Sequence, residues 1–209
     1  MKLIHICPAC NKEHEVDSVP EPSQLCSNCK NFNAFIDLVK DQFKYGGQKY
    51  ALNNERESTD VLFDKHGKNW LFGTVDKYTF RYKNLARERD LLKIACYMFI
   101  TWLKRGFYIM DKGINDPAID TNLETKNHNF PKFVEQANTY ANIFEKTHYS
   151  TFYIEQISII LEKLSKSEWK DVNKYELFDI FYNAYKEWNK KYSNIEVHDT
   201  DTYSNKKNK

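Results

Sequence analysis

Between residues 90 and 103, Leu91, Leu92, Ala95, Met98, Phe99, Trp102 and Leu103 recur at three- and four-residue steps. A helix this apolar has to be covered by other elements, so it constrains the chain to fold around a buried central helix. Gly106, after the basic pair Lys104-Arg105, stops it. Lys93 interrupts the run, which is shorter than a bilayer crossing requires, and no membrane partner is expected. Six Gly and five Pro in 209 residues, with 15% aromatics, leave few breakers and many core-forming rings. The expected class is mainly α, a helical bundle.

Other segments supply the covering faces. Residues 31–50 read as a helix with Phe32, Phe35, Ile36, Val39 and Phe43 on one side, stopped by Gly46-Gly47. A short helix follows near residues 59–66, with Ser58 as N-cap, Val61, Leu62 and Phe63 packing inward, and Gly67 as its stop. Trp70, Leu71, Val75, Tyr78 and Tyr82 form the next stripe, with a turn around Asn84-Leu85-Ala86. Residues 31–110 thus make a helical core. Residues 111–129 are polar and rich in Gly, Pro, Asn and Asp, which reads as a linker loop. Residues 130–192 read as C-terminal helices carrying Phe133, Ala137, Tyr140 and Phe144, then Ile154, Ile157, Leu161 and Leu164, then Leu177, Phe178, Phe181, Tyr185 and Trp188. Pro131 is placed near the N1 position of the first, and Asn173 with Glu176 has capping-box spacing before the last. Residues 193–209 lack apolar periodicity and read as a flexible tail.

The N-terminal 30 residues carry different chemistry. Cys7-Pro-Ala-Cys10 and Cys26-Ser-Asn-Cys29 are separated by fifteen residues, the spacing of a four-cysteine zinc ribbon. Four thiolates suit structural Zn2+ and leave no open coordination position for catalysis. The metal supplies the cohesion that 30 residues cannot build from apolar burial. His5 and His14 are spare imidazoles read as surface residues. The opening MKLIHICPAC has no apolar run of signal-peptide length, and paired cysteines fit a reducing compartment, so a cytoplasmic location is expected.

Net charge is only +2, so any polyanion site has to come from a local cluster. One exists: Lys77, Arg81, Lys83, Arg87 and Arg89, with Lys93 beyond and Tyr78, Tyr82 and Asn84 interleaved. Cationic side chains match phosphate oxygens and tyrosine faces stack on bases, which suits a nucleotide or nucleic-acid backbone. The competing reading is a solvated helix face neutralised by Asp76, Glu88 and Asp90. Glu57 and Asp60, with Asp90 beside the basic face, form a candidate Mg2+ set. Alternatively, Glu57 and Asp60 are N-terminal charges favoured by the helix dipole. Cys96 falls inside the apolar helix and reads as an inert buried thiol. No GxSxG, HExxH, P-loop or GxGxxG pattern occurs, which disfavours triad hydrolysis, P-loop ATP binding and dinucleotide binding.

Lys44-Tyr45-Gly46, then Lys77, Arg81 and Asn84, then Asp90-Leu91 with Lys93, Ala95 and Tyr97 give residues 31–110 a pattern that resembles phage nucleotide-modification-associated or MazG-like proteins. That resemblance implies an all-α, paired-subunit nucleoside triphosphate pyrophosphohydrolase whose Mg2+ is held by an ExxE and an ExxD pair. Glu57-Ser-Thr-Asp60 is one such pair, Glu88 and Asp90 are spaced at i, i+2, and residues 31–50 hold no ExxE. Two functions follow as expectations. The first is a zinc-ribbon helical protein binding a phosphorylated nucleotide through Lys77, Tyr78, Arg81, Lys83, Asn84 and Arg87, with or without hydrolysing it. The second is a non-catalytic zinc-ribbon adaptor for nucleic acid or a protein.

Overall fold

The structure is a computed structural model that describes residues 3–6, 13–16, 18, 21, 24–50, 58–107, 123–147 and 151–195. Cys7, Cys10, Glu57, most of the expected linker and residues 196–209 lie outside the described residues. Among the described residues, two short strands, β1 (Leu3–Ile6) and β2 (Glu13–Val16), precede seven helices. These are α1 (Ser27–Tyr50), α2 (Ser58–His66), α3 (Lys68–Leu85), α4 (Glu88–Lys104), α5 (Leu123–Thr147), α6 (Tyr153–Lys166) and α7 (Lys174–Tyr192). A single 3-10 turn, Trp169–Asp171, stands between α6 and α7. The expected helical bundle is what folds.

The centre of the bundle is α4. Leu91, Ile94, Ala95, Met98, Phe99, Trp102 and Leu103 have no exposed surface, and Leu92 almost none. The helix is covered on several sides by α1, α3, α5 and α7. One apolar cluster runs from Phe32 through Phe99 and Phe133 to Trp188, so residues of the expected core and of the C-terminal helices share it.

The joints between helices follow from local chemistry. Gly67 takes φ 59° and ψ −148°, a conformation that side chains resist, and lets α3 start immediately after α2. The chain turns where expected between α3 and α4: Ala86 is left-handed at φ 46° and ψ 44°, and its N–H caps the Tyr82 carbonyl at 2.8 Å. Tyr192 on α7 donates to the Ala86 carbonyl, and Trp188 donates to the buried Glu88 carboxylate at 2.6 Å. Tyr82 donates to Glu187 at 3.0 Å. Together these bonds hold the α3–α4 hairpin, and hence its basic residues, against α7. The Asn173 and Glu176 capping box forms as its spacing predicts.

Three boundaries differ from expectation. Gly46-Gly47 does not stop α1, which continues to Tyr50 and begins at Ser27, so Cys29 lies in its first turn. A helical glycine costs about 0.5–1 kcal/mol. Burial of Phe35, Val39 and Phe43 contributes about 1.5–3 kcal/mol per side chain and outweighs it. The expected linker is partly helical, since α5 starts at Leu123 rather than after residue 129. Pro131 therefore sits inside α5, where it removes one backbone bond, and not at N1. Residues 193–195 of the expected tail are still bonded to α7, with the Ile195 N–H donating to the Tyr192 carbonyl at 3.0 Å.

Candidate functional site

The α3–α4 hairpin places two helical stripes side by side. Trp70, Thr74, Lys77 and Tyr78 on α3 face Lys93, Cys96, Tyr97 and Ile100 on α4 across a cavity of about 280 Å³. Tyr45 and Gly46 of α1, Ser58 and Thr59 of α2, and Lys126 of α5 close the remaining sides. A Cβ on Gly46 would meet nothing within 4 Å, so the α1 wall is set back at that point. Lys44, next in sequence, turns away to pair with Asp41 at 3.2 Å.

Positive charge is concentrated around Tyr78. The Lys77 and Lys93 ammonium groups lie 4.6 and 5.2 Å from its ring centre, and the Arg81 guanidinium lies 5.6 Å away. Tyr97 stacks on Tyr78 at 6.0 Å, and Trp70 meets Tyr97 edge-on at 5.7 Å. With cations and Tyr97 around it, Tyr78 supports the charges; Trp70, half-buried, is the other aromatic side chain of α3 that lines the cavity. Burial, reinforced by Arg81 and Lys93 and opposed by Asp90, lowers the Lys77 pKa.

The remaining predicted residues divide sharply. Asp90 is fully buried, neither carboxylate oxygen accepts a hydrogen bond, and the Arg81 guanidinium stands off at 3.5 Å. Burial raises its pKa against the pull of Arg81, Lys93, Arg89 and Arg87. Lys83 turns to α6 and donates to Ser158 at 3.0 Å. Asn84 folds back on the Phe80 carbonyl at 2.7 Å, and Arg87 is the extended residue before α4. Asn84 therefore caps its own helix, and Lys83 serves a different face.

The expected acid set does not converge. Asp60 is fully buried and pairs with Lys104 at 2.6 Å, at the last turn of α4, whereas Asp90 is in its first turn. At 1.5 Å per residue these positions are roughly 20 Å apart along the axis, too far to share one ion. Glu88, the next acid, is engaged by Trp188. Among the described residues no group of three His, Cys, Asp or Glu side chains could hold a metal. Asp60 and Asp90 are therefore not placed to share one Mg2+ ion, and Glu57 lies outside the described residues.

Lys126 was missed by the sequence reading. It is 4% exposed, lies on α5 and lines the cavity opposite the hairpin. Its signal was available: counting back from Tyr140, Ala137, Phe133 and Phe130 at helical steps reaches Lys126. Cys96 is buried as expected, donates to the Val39 carbonyl at 3.6 Å, and burial pushes its thiol pKa up.

At the N-terminus, β1 and β2 pair antiparallel with Ile6 opposite Glu13, so Cys7 and Cys10 belong to the segment joining them. Cys26 is buried immediately before α1 and Cys29 half-buried within it. Tyr185 of α7 donates to the Asn28 carbonyl at 3.0 Å, and Asn31 donates to Asn189 at 2.7 Å. The second cysteine pair is thereby tied to the bundle. No helix among the described residues is long and apolar enough to cross a membrane. The chain matches no protein-family model, no curated protein and no solved structure.

Proposed function

We propose that the cavity binds the phosphate end of a phosphorylated nucleotide, and that the protein acts by binding it rather than through a protein-held Mg2+ centre. One observation carries the reading: Lys77, Lys93 and Lys126 come from three different helices and line a single cavity. A solvated basic face would spread its lysines over water; here burial lowers the Lys77 pKa, and an anion beside it would raise it again. The volume of about 280 Å³ is at the lower end for a ligand pocket, enough for the charged end of a nucleotide, with the base at the rim on Trp70. Of the MazG-like pattern, Tyr45, Gly46, Lys77, Lys93 and Tyr97 line this cavity, whereas Lys44, Arg81, Asn84 and Asp90 do not.

Thermal melts with nucleoside mono-, di- and triphosphates, with and without Mg2+, test it. A nucleotide at a hundredfold excess over its Kd raises stability by about 2.7 kcal/mol. Lys77→Ala and Lys126→Met are expected to weaken binding by roughly tenfold or more, because each removes a charged hydrogen-bond donor. Stabilisation only by oligonucleotides, falling steeply with salt, would instead establish the adaptor reading.

The N-terminal hairpin and the first turn of α1 support a structural zinc site formed by Cys7, Cys10, Cys26 and Cys29, bracing α1 against the bundle. Protein purified anaerobically is expected to carry one Zn2+ per chain, and its removal by a chelator to lower the melting temperature. Metal-free protein with unchanged melting would eliminate the ribbon.

A further inference from the structure

Arg81 is the one member of the Tyr78 cation cluster that does not line the cavity, although the ring it rests on does. It is a third exposed and stands 3.5 Å from an Asp90 oxygen that accepts no hydrogen bond. The contact is therefore charge attraction without a directional bond, and it holds Arg81 weakly. Asp90 keeps other cations whether or not Arg81 stays: Lys93, Arg89 and Arg87 from α4 and the turn before it, and Lys77 from α3. Losing Arg81 would thus not leave the buried carboxylate without compensation, which is the case that is severely destabilising.

We infer that Asp90 is an internal counter-ion that parks Arg81 beside the cavity, and that the ligand's phosphate draws Arg81 across the Tyr78 ring into the site. This rests on the nucleotide-binding reading and adds to it a mobile phosphate-binding arm, with Asp90 as the positioning residue that opposes its engagement. The structure favours such an exchange because the guanidinium lies 3.5 Å from the carboxylate and 5.6 Å from the centre of the Tyr78 ring, which itself lines the cavity. A phosphate offers it the bidentate geometry that Asp90 does not. Lys77 and Lys93 hold the cavity's charge before the exchange, and Arg81 adds to it afterwards.

Calorimetric binding of ATP to the full chain and to Asp90→Asn, Arg81→Ala and the double variant tests this. Asp90→Asn keeps the shape and is expected to tighten binding by roughly three- to thirtyfold, inside the roughly two- to 150-fold spanned by coupled neighbouring groups. Arg81→Ala weakens binding, and adding Asp90→Asn to it then gains less than about twofold, because Asp90 acts through Arg81. An equal gain in the Arg81→Ala background would mean that Asp90 acts by charge at a distance, and overturns the inference. So does weaker ATP binding in a folded Asp90→Asn, with Asp90→Ser as a second variant should the first melt early. If the unmodified protein binds no nucleotide at all, the underlying reading fails too, and that outcome is distinguishable because no variant then binds.

Discussion

Replacing Lys104 by methionine is expected to destabilise the protein by about 3–5 kcal/mol, the cost of leaving a buried charge without its partner. Lys104 and Asp60 have no exposed surface, lie 2.6 Å apart, and the ammonium sits 5.2 Å from the centre of the Phe63 ring. Removing either partner leaves the other desolvated with little water to replace it. For a chain of this size the loss corresponds to roughly 10 °C in melting temperature. Asp60→Leu with Lys104→Met removes both charges and is expected to recover most of it, since apolar pairs of similar volume often match buried ion pairs. Denaturant melts of the two single variants and the double variant measure the coupling. Near-native stability of Lys104→Met would mean that Asp60 does not depend on Lys104 for its compensation, and overturns the buried-pair reading.

Asp60 fits both a Mg2+ set and a helix-dipole charge in the sequence, and neither reading includes Lys104. Its spacing from Glu57 is local and visible, but its partner lies across the fold on α4, and no period in the sequence reports that pairing. The central helix was legible because its apolar repeat and its burial are the same fact. The α3–α4 turn was legible in the same way, as a break in that repeat. The first two turns of α5 were not: residues 124–129 are polar, so they read as a loop, yet Lys126 and Asn129 are buried within the helix. The apolar stripe of α5 runs back only to Phe130, and the next helical step lands on Lys126, whose charge hides that the face continues. The basic cluster was found as a group, but the division within it was not. Lys77 and Lys93 enter the cavity, Arg81 stands beside it, and Lys83 and Asn84 are directed elsewhere. Positions 77, 81 and 84 share a helical face in projection, yet Lys77 enters the cavity, Arg81 stands against Asp90 of α4 and Asn84 bonds back within α3.

Phe133→Ala is expected to cost about 3–5 kcal/mol and to weaken nucleotide binding along with it. The ring is fully buried, with centroids of Phe181 at 5.1 Å, Phe99 at 5.3 Å, Phe178 at 5.6 Å and Trp102 at 5.7 Å. It thus joins α4 to α5 and α7 at one point. So many rigid rings cannot collapse into the space it leaves, which places the cost toward the upper end of the range. Phe133→Leu keeps most of the volume and should cost under about 1.5 kcal/mol. Lys126 lies two turns upstream on the same helix, so loosening α5 at Phe133 also loosens one wall of the cavity. Calorimetric melting separates two views of the chain. If residues 31–110 and 130–192 were independent lobes, the variant would melt in two steps and leave the Lys77 and Lys93 wall intact. With one shared core, a single transition moves down as a unit, and ATP affinity falls with it.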